Sequence, residues 1–158
     1  DEIAEQIAMV YQLRDDHEQV TAAINQLEWI RRQLYDLQAV LAEAEADWES
    51  LIEAVAEVDG TLIAVEEKLV QMKRTGTGQD QIRWPTMLSG RIGYLIRNVA
   101  TYDFPPNDQQ REVQDVLETK MRNALAEVRA VVDGEVASLN ETLVSQGVPP
   151  VLVSRPRP

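Results

Sequence analysis

His17 is the only histidine in the chain, and it falls in a run with helical periodicity. Metal chemistry of the di-iron bundle type needs Glu-x-x-His on two helices. Arg14 stands three residues before His17, so that ligand set is missing. The absence of cysteine excludes thiolate metal sites, disulfides and a cysteine nucleophile. Glu66-Glu67 and the Glu43/Glu45 pair are of the type that does acid–base work. Among 27 acidic residues they read instead as solvated helix faces. Gly76-Thr77-Gly78 has phosphate-loop glycines, but it follows a helix and lacks Gly-Lys-Ser/Thr, so it reads as a helix stop. Asn140-Glu141-Thr142 has glycosylation spacing but falls inside a predicted helix. Trp29, Trp48 and Trp84 are suited to sugar stacking, yet they lie on three different elements and read as packing at bundle ends. No catalytic, cofactor-binding or metal-binding residue is assigned on these grounds.

Any such group would be positioned by helices. Ala, Leu, Val, Glu and Gln dominate the composition, and aromatics are 5%. The length of 158 residues suggests one domain, large enough to be stable without disulfide or metal. The net charge of −12 argues against free nucleic acid and anionic membrane surfaces as partners. No apolar run approaches the ~20 residues of a membrane span. The opening Asp1-Glu2-Ile3 starts in helical register without Met, as in a fragment or processed chain.

The periodicity predicts helices over about 2–42, 47–74, 85–101 and 107–146, with a Pro-rich extended tail over 148–158. The expected stripe of the first is Ile3, Ile7, Val10, Val20, Ile24, Leu27, Leu34, Leu37 and Leu41, interrupted by Arg14 and His17. Asp47 is the expected N-cap of the second, Asp59-Gly60 a potential kink, and Gly76 its left-handed cap. The third opens at Pro85 and buries Leu88, Ile92, Leu95 and Val99, with Ser89, Gly90 and Gly93 allowing close approach. The fourth is capped by Asn107 with Gln110, and its stripe runs from Val113 to Leu143. Asp133-Gly134 is an expected interruption, and Gly147 with Pro149 the stop. The expectation is an all-α, up-down-up-down antiparallel four-helix bundle over 1–147, with helices of unequal length.

Residues 75–106 are the distinctive segment. Gly78-Gln79-Asp80, then Trp84-Pro85, the helix Met87–Ile92, and the corner Asp103-Phe104-Pro105-Pro106 resemble the C-terminal helical region of bacterial sortilin-like, BNR-repeat β-propeller proteins. Leu13-Arg14-Asp15, Ala23–Gln26 and the ending Val136–Asn140 before Gly147-Val148-Pro149 are similar too. Trp84 replaces the commoner Tyr or Phe, and Ser89-Gly90 a frequent Asn. The group is often labelled glycosyl hydrolases, but no propeller sequence is present here. The resemblance implies a non-catalytic appendage with no cofactor, an upstream β-propeller or other protein as partner, and an extracytoplasmic location. It also implies structural roles for Gly78, Asp80, Trp84, Pro85, Phe104, Pro105 and Pro106, beside those that local chemistry gives Gly76, Gly93 and Asn107.

Unequal helix lengths place the first turns of helix one beside the last turns of helix four as a two-helix stalk. Ile3, Ile7, Val10, Tyr11 and Leu13 with Val136, Leu139 and Leu143 then form the expected docking surface, for the missing domain or for a second copy. Alternatives are a stand-alone coiled-coil adaptor or a ligand-binding bundle.

Overall fold

The computed structural model describes the chain except Asp1, Glu45, Ala46, Thr77, Tyr102, Asp103 and residues 156–158, and except the side chains of Glu2, Asp80 and Gln81. The expectations placed on Asp103, on the Asp80 side chain and on the tail end therefore lie outside the described residues. The helices are α1 (Glu2–Glu43), α2 (Glu49–Leu69), a single turn α3 (Asp80–Arg83), α4 (Leu88–Ala100), α5 (Asp108–Val131) and α6 (Ala137–Ser145). A π-helical turn, Val132–Val136, joins α5 to α6. The fold is all-α, a helical bundle with no strand among the described residues. No helix among those residues is long and apolar enough to cross a membrane.

The chain divides into two compact units. Unit one holds residues 1–22 and 67–125, and unit two holds 23–66 and 126–158. α1 and the α5 rod each contribute to both.

The buried face of α1 is Gln6, Met9, Leu13, Asp16, Val20, Ala23, Leu27, Ile30 and Leu34, then Leu41. Steps of three and four alternate from Gln6 to Leu34, which is a heptad seam. The first turns therefore differ from the expected stripe. Ile3 and Ile7 are exposed and Val10 is half-buried, while Met9 and Leu13 are core. Two polar seam residues, Gln6 and Asp16, hide the true period. α2 continues the rule with Leu51, Val55, Val58, Leu62, Val65 and Leu69, and runs through Gly60 without a break. The α4 face is the expected Leu88, Ile92, Leu95 and Val99.

In unit one, Gln6 Nε2 donates to the Val99 carbonyl at 2.7 Å and His17 Nε2 meets Ser89 Oγ at 3.2 Å. α4 is thus antiparallel to α1. Arg111 pairs with Glu5 at 3.1 Å, and Glu118 is close enough to Asp16 to act on its charge, so α5 is parallel to α1. The path differs here from the alternating one, in which the third helix climbs beside the first. The cause is the connection 70–87, which is too long to force a reversal. The neighbours of the first turns of α1 are α4 and the start of α5, in place of the expected stalk partner at 132–146. Val136, Leu139 and Leu143 belong to unit two and are buried there.

Helix ends follow local chemistry. Asn107 and Gln110 form the reciprocal capping box, with Gln110 N–H donating to Asn107 Oδ1 at 2.8 Å and Asn107 N–H to Gln110 Oε1 at 2.9 Å. Asp47 Oδ1 accepts from the Glu49 N–H at 3.3 Å. α2 stops at Leu69, five residues before the expected end, so Gly76 (φ 82°) serves a later turn rather than the helix cap. α4 starts at Leu88, and Pro85 precedes it in the connection. At the other end Gly147 has φ 77°, Val148 N–H reaches the Leu143 carbonyl at 2.9 Å and Gly147 N–H reaches Val144 at 3.1 Å, a Schellman closure.

Unit two encloses an ion triad. Arg31 Nη1 contacts Glu66 Oε2 at 2.6 Å and Arg31 Nε contacts Asp59 Oδ1 at 2.9 Å. Burial raises the Glu66 pKa above its ordinary value, and the Arg31 pair only partly offsets this. At Arg31 burial opposes the charge, yet the two carboxylates more than restore it. Glu66 is 2% exposed and meets Arg31, whereas Arg31 meets both Glu66 and Asp59.

The described part of the tail is held against helices of unit two. Asn140 holds Val151 by both amide atoms, at 2.8 and 3.0 Å. Gln33 holds Leu152 in the same way, at 2.8 and 2.9 Å. Gln26 donates to the Val153 carbonyl at 2.9 Å, and Val151 is buried. Arg155 lies over the Trp29 ring at 5.2 Å. Among the described residues, buried Trp29 Nε1 has no hydrogen-bond partner.

Asp16 sits in the unit-one seam at 3% exposure. Burial raises its pKa, Glu118 and Asp15 raise it further, and a hydrogen bond from Gln12 works against them. A raised folded-state pKa gives stability that is fully present below the unfolded value and is lost as pH rises through the folded one. Asp16→Asn keeps the Oδ1 acceptor for Gln12. It is expected to raise the urea midpoint at pH 7, and the parent's midpoint is expected to fall between mildly acid and neutral pH more steeply than the variant's. An unchanged slope in the variant would remove Asp16 as its source.

Candidate functional site

The His17–Ser89 contact lies on a groove of about 1300 Å³ in unit one. Small residues make the space. A Cβ added at Gly93 would stand 3.9 Å from His17 Nε2. One added at Gly90 would meet Thr86 Cγ2 at 2.5 Å, so the Thr86 side chain would have to shift. α4 forms one wall, with Tyr94 and Arg97 on it, and α5 the other, with Val113, Val116 and Lys120.

Both walls expose apolar surface. Tyr94 is 64% exposed, Val113 45% and Val116 53%. Val113 was expected in the buried stripe of the last helix, but the seam there begins at Leu117 and continues through Met121, Ala124 and Val128. The groove lining carries Arg74, Arg91, Arg97 and Lys120 against the single carboxylate of Glu112. This basic surface belongs to a chain of net charge −12.

A serine beside a histidine suggests a nucleophile, but a triad needs an acid that orients the ring. Among the described residues His17 has no such partner, and none of their carboxyl, thiol or imidazole groups cluster in threes to hold a metal. His17 is half-buried, Arg14 is exposed, and both occupy the interrupted part of the expected stripe.

Of the expected docking residues, Ile3 (55%), Ile7 (48%) and Tyr11 (61%) are exposed on α1, at spacings of four. Val10 is half-buried. Leu13, Val136, Leu139 and Leu143 are core residues and present nothing to a partner. Of the expected structural residues, Lys73 Nζ stands 5.5 Å from the Trp84 ring centroid and the Pro85 carbonyl accepts from Gln71 at 2.9 Å. Pro106 is buried, Pro105 half-buried, and Phe104 is 73% exposed. Gly78 lies in a turn before α3, which Asp80 opens. The glycosylation triplet is occupied, since the Asn140 amide is bound to Val151.

Gly93→Leu is expected to lower stability by about 1–3 kcal/mol, because the longer side chain must enter the space against His17 and Ser89. Gly93→Ala should be tolerated at ordinary contact distance. Equal urea midpoints for parent and Gly93→Leu would show that the groove floor yields freely.

The fold and groove define an all-α helical module with one basic, partly apolar face. No family model, curated protein or solved structure matches the chain.

Proposed function

We propose that this chain is a non-catalytic interaction module that docks onto another protein through unit one. The supporting observation is the groove between α4 and α5, where Tyr94, Val113 and Val116 are exposed on helices whose other faces are core. Clustered exposed apolar residues beside charged ones are typical of a binding surface. The sequence resemblance offers an upstream β-propeller as the partner to try first, in an extracytoplasmic setting. A hydrolase label on such a family belongs to the propeller.

Two measurements test this reading. The purified chain should turn over neither a panel of glycosides nor an activated ester. Turnover lost on Ser89→Ala or His17→Gln would overturn the non-catalytic half. The chain should also capture its upstream domain in a pull-down, and Val116→Asp should weaken capture while the helical circular dichroism stays unchanged. Full capture by a folded Val116→Asp variant would remove the groove from the interface.

A further inference from the structure

We infer that the groove of unit one accepts the first turns of α1 from a second copy of this chain, so that two copies dock reciprocally. This rests on the interaction-module reading and names its partner.

Two unfilled surfaces in unit one complement each other. The receiving surface is the α4–α5 groove, with exposed Tyr94, Val113 and Val116 and with Arg91, Arg97 and Lys120 along it. The entering surface is the exposed stripe Ile3, Ile7 and Tyr11 on α1. Residues at i, i+4 and i+8 lie along one side of a helix, which is how an amphipathic helix presents anchors to a groove. Residues 1–18 contain six acidic side chains, Asp1, Glu2, Glu5, Asp15, Asp16 and Glu18, and one base, Arg14. Glu5 already pairs with its own Arg111, and Asp16 is buried. The remaining carboxylates are of the sign the groove cations attract, and the groove's one carboxylate, Glu112, leaves it net positive.

Each copy carries both surfaces. A two-fold axis therefore makes two identical contacts, stripe into groove and groove onto stripe, and closes the assembly at a dimer. The arrangement joins apolar burial to charge steering, so it should weaken with salt.

Sedimentation equilibrium of the full 158-residue chain tests this. The parent should be a dimer at low salt and dissociate as salt is raised. Ile7→Asp breaks the stripe, and Arg97→Glu with Lys120→Glu breaks the groove. Each variant alone should be monomeric with parental helical circular dichroism. Mixed, they should recover a heterodimer, because one intact stripe then meets one intact groove. A parent that is monomeric at all concentrations, variants that still dimerise, or a mixture that stays monomeric would each overturn the inference. A monomeric parent that still captures its upstream domain would sink the second-copy assignment and leave the interaction-module reading intact. Catalytic turnover by a chain that dimerises as described would do the reverse.

Discussion

Arg31→Met is expected to cost about 3–5 kcal/mol, as loss of one member of a buried ion pair does. Arg31 contacts Glu66 at 2.6 Å, and the Glu66 side chain is 3% exposed. Without the guanidinium that carboxylate either stays charged in a dry site or takes up a proton. Asp59, at 30% exposure, keeps contact with water and suffers less. Two controls separate this from lost packing. Adding Glu66→Leu to Arg31→Met should recover most of the loss, because a well-packed apolar pair replaces an ion pair at little net cost. The deficit of the single variant should also narrow as pH falls. Glu66 has a raised folded-state pKa, so its neutral form is favoured in the fold, and a neutral carboxyl no longer needs the cation. Urea midpoints for the three proteins at mildly acid and neutral pH decide the matter. A single variant as stable as the parent would show that Glu66 is hydrated in solution.

Ending the chain after Gly147 is expected to lower stability by about 2–3 kcal/mol. Burial of Val151 contributes about 1.5–3 kcal/mol. Hydrogen bonds to Asn140, Gln33 and Gln26 contribute about 0.5–1.5 kcal/mol each, and the entropy of ordering the segment takes back much of that. The amides freed by truncation can turn to water, which keeps the loss moderate. Val151→Asp in the full chain should reproduce most of it, since the tail cannot dock with a charge at its buried anchor. If truncation leaves the urea midpoint where it was, the tail does not hold unit two together.

Much of the helical skeleton was legible. The four buried positions of α4 and the capping box at Asn107 follow from spacing and local chemistry alone, which is why they are found where expected. The α1 seam was not, because hydropathy alone cannot place Gln6 and Asp16 inside. Their burial depends on neighbours remote in sequence, such as the Val99 carbonyl that accepts from Gln6. The docking of the tail was not legible for a related reason. Its prolines prevent helix, but the glutamine and asparagine side chains that hold its backbone sit up to 127 residues away. The groove was invisible because its walls depend on which helices share unit one. That assignment follows from the direction of α4, which the long connection 70–87 leaves open. Val113 reads as core until Leu117 is known to begin the seam.

Losing one residue from Val132–Val136 should leave the rest of the molecule in place. Buried positions run Val128, Val132, Val136, Leu139 and Leu143, so two successive steps are four where a heptad alternates three and four. The π turn takes up that surplus residue by widening locally. With it removed, the positions beyond fall on a strict heptad, and Leu139 and Leu143 still point inward. The same deletion between Leu27 and Leu34 would turn everything beyond it by about 100° and carry Leu34 and Leu41 toward water. The final helix thus carries one residue of slack, and mutational shortening there is absorbed where elsewhere it would derange the fold.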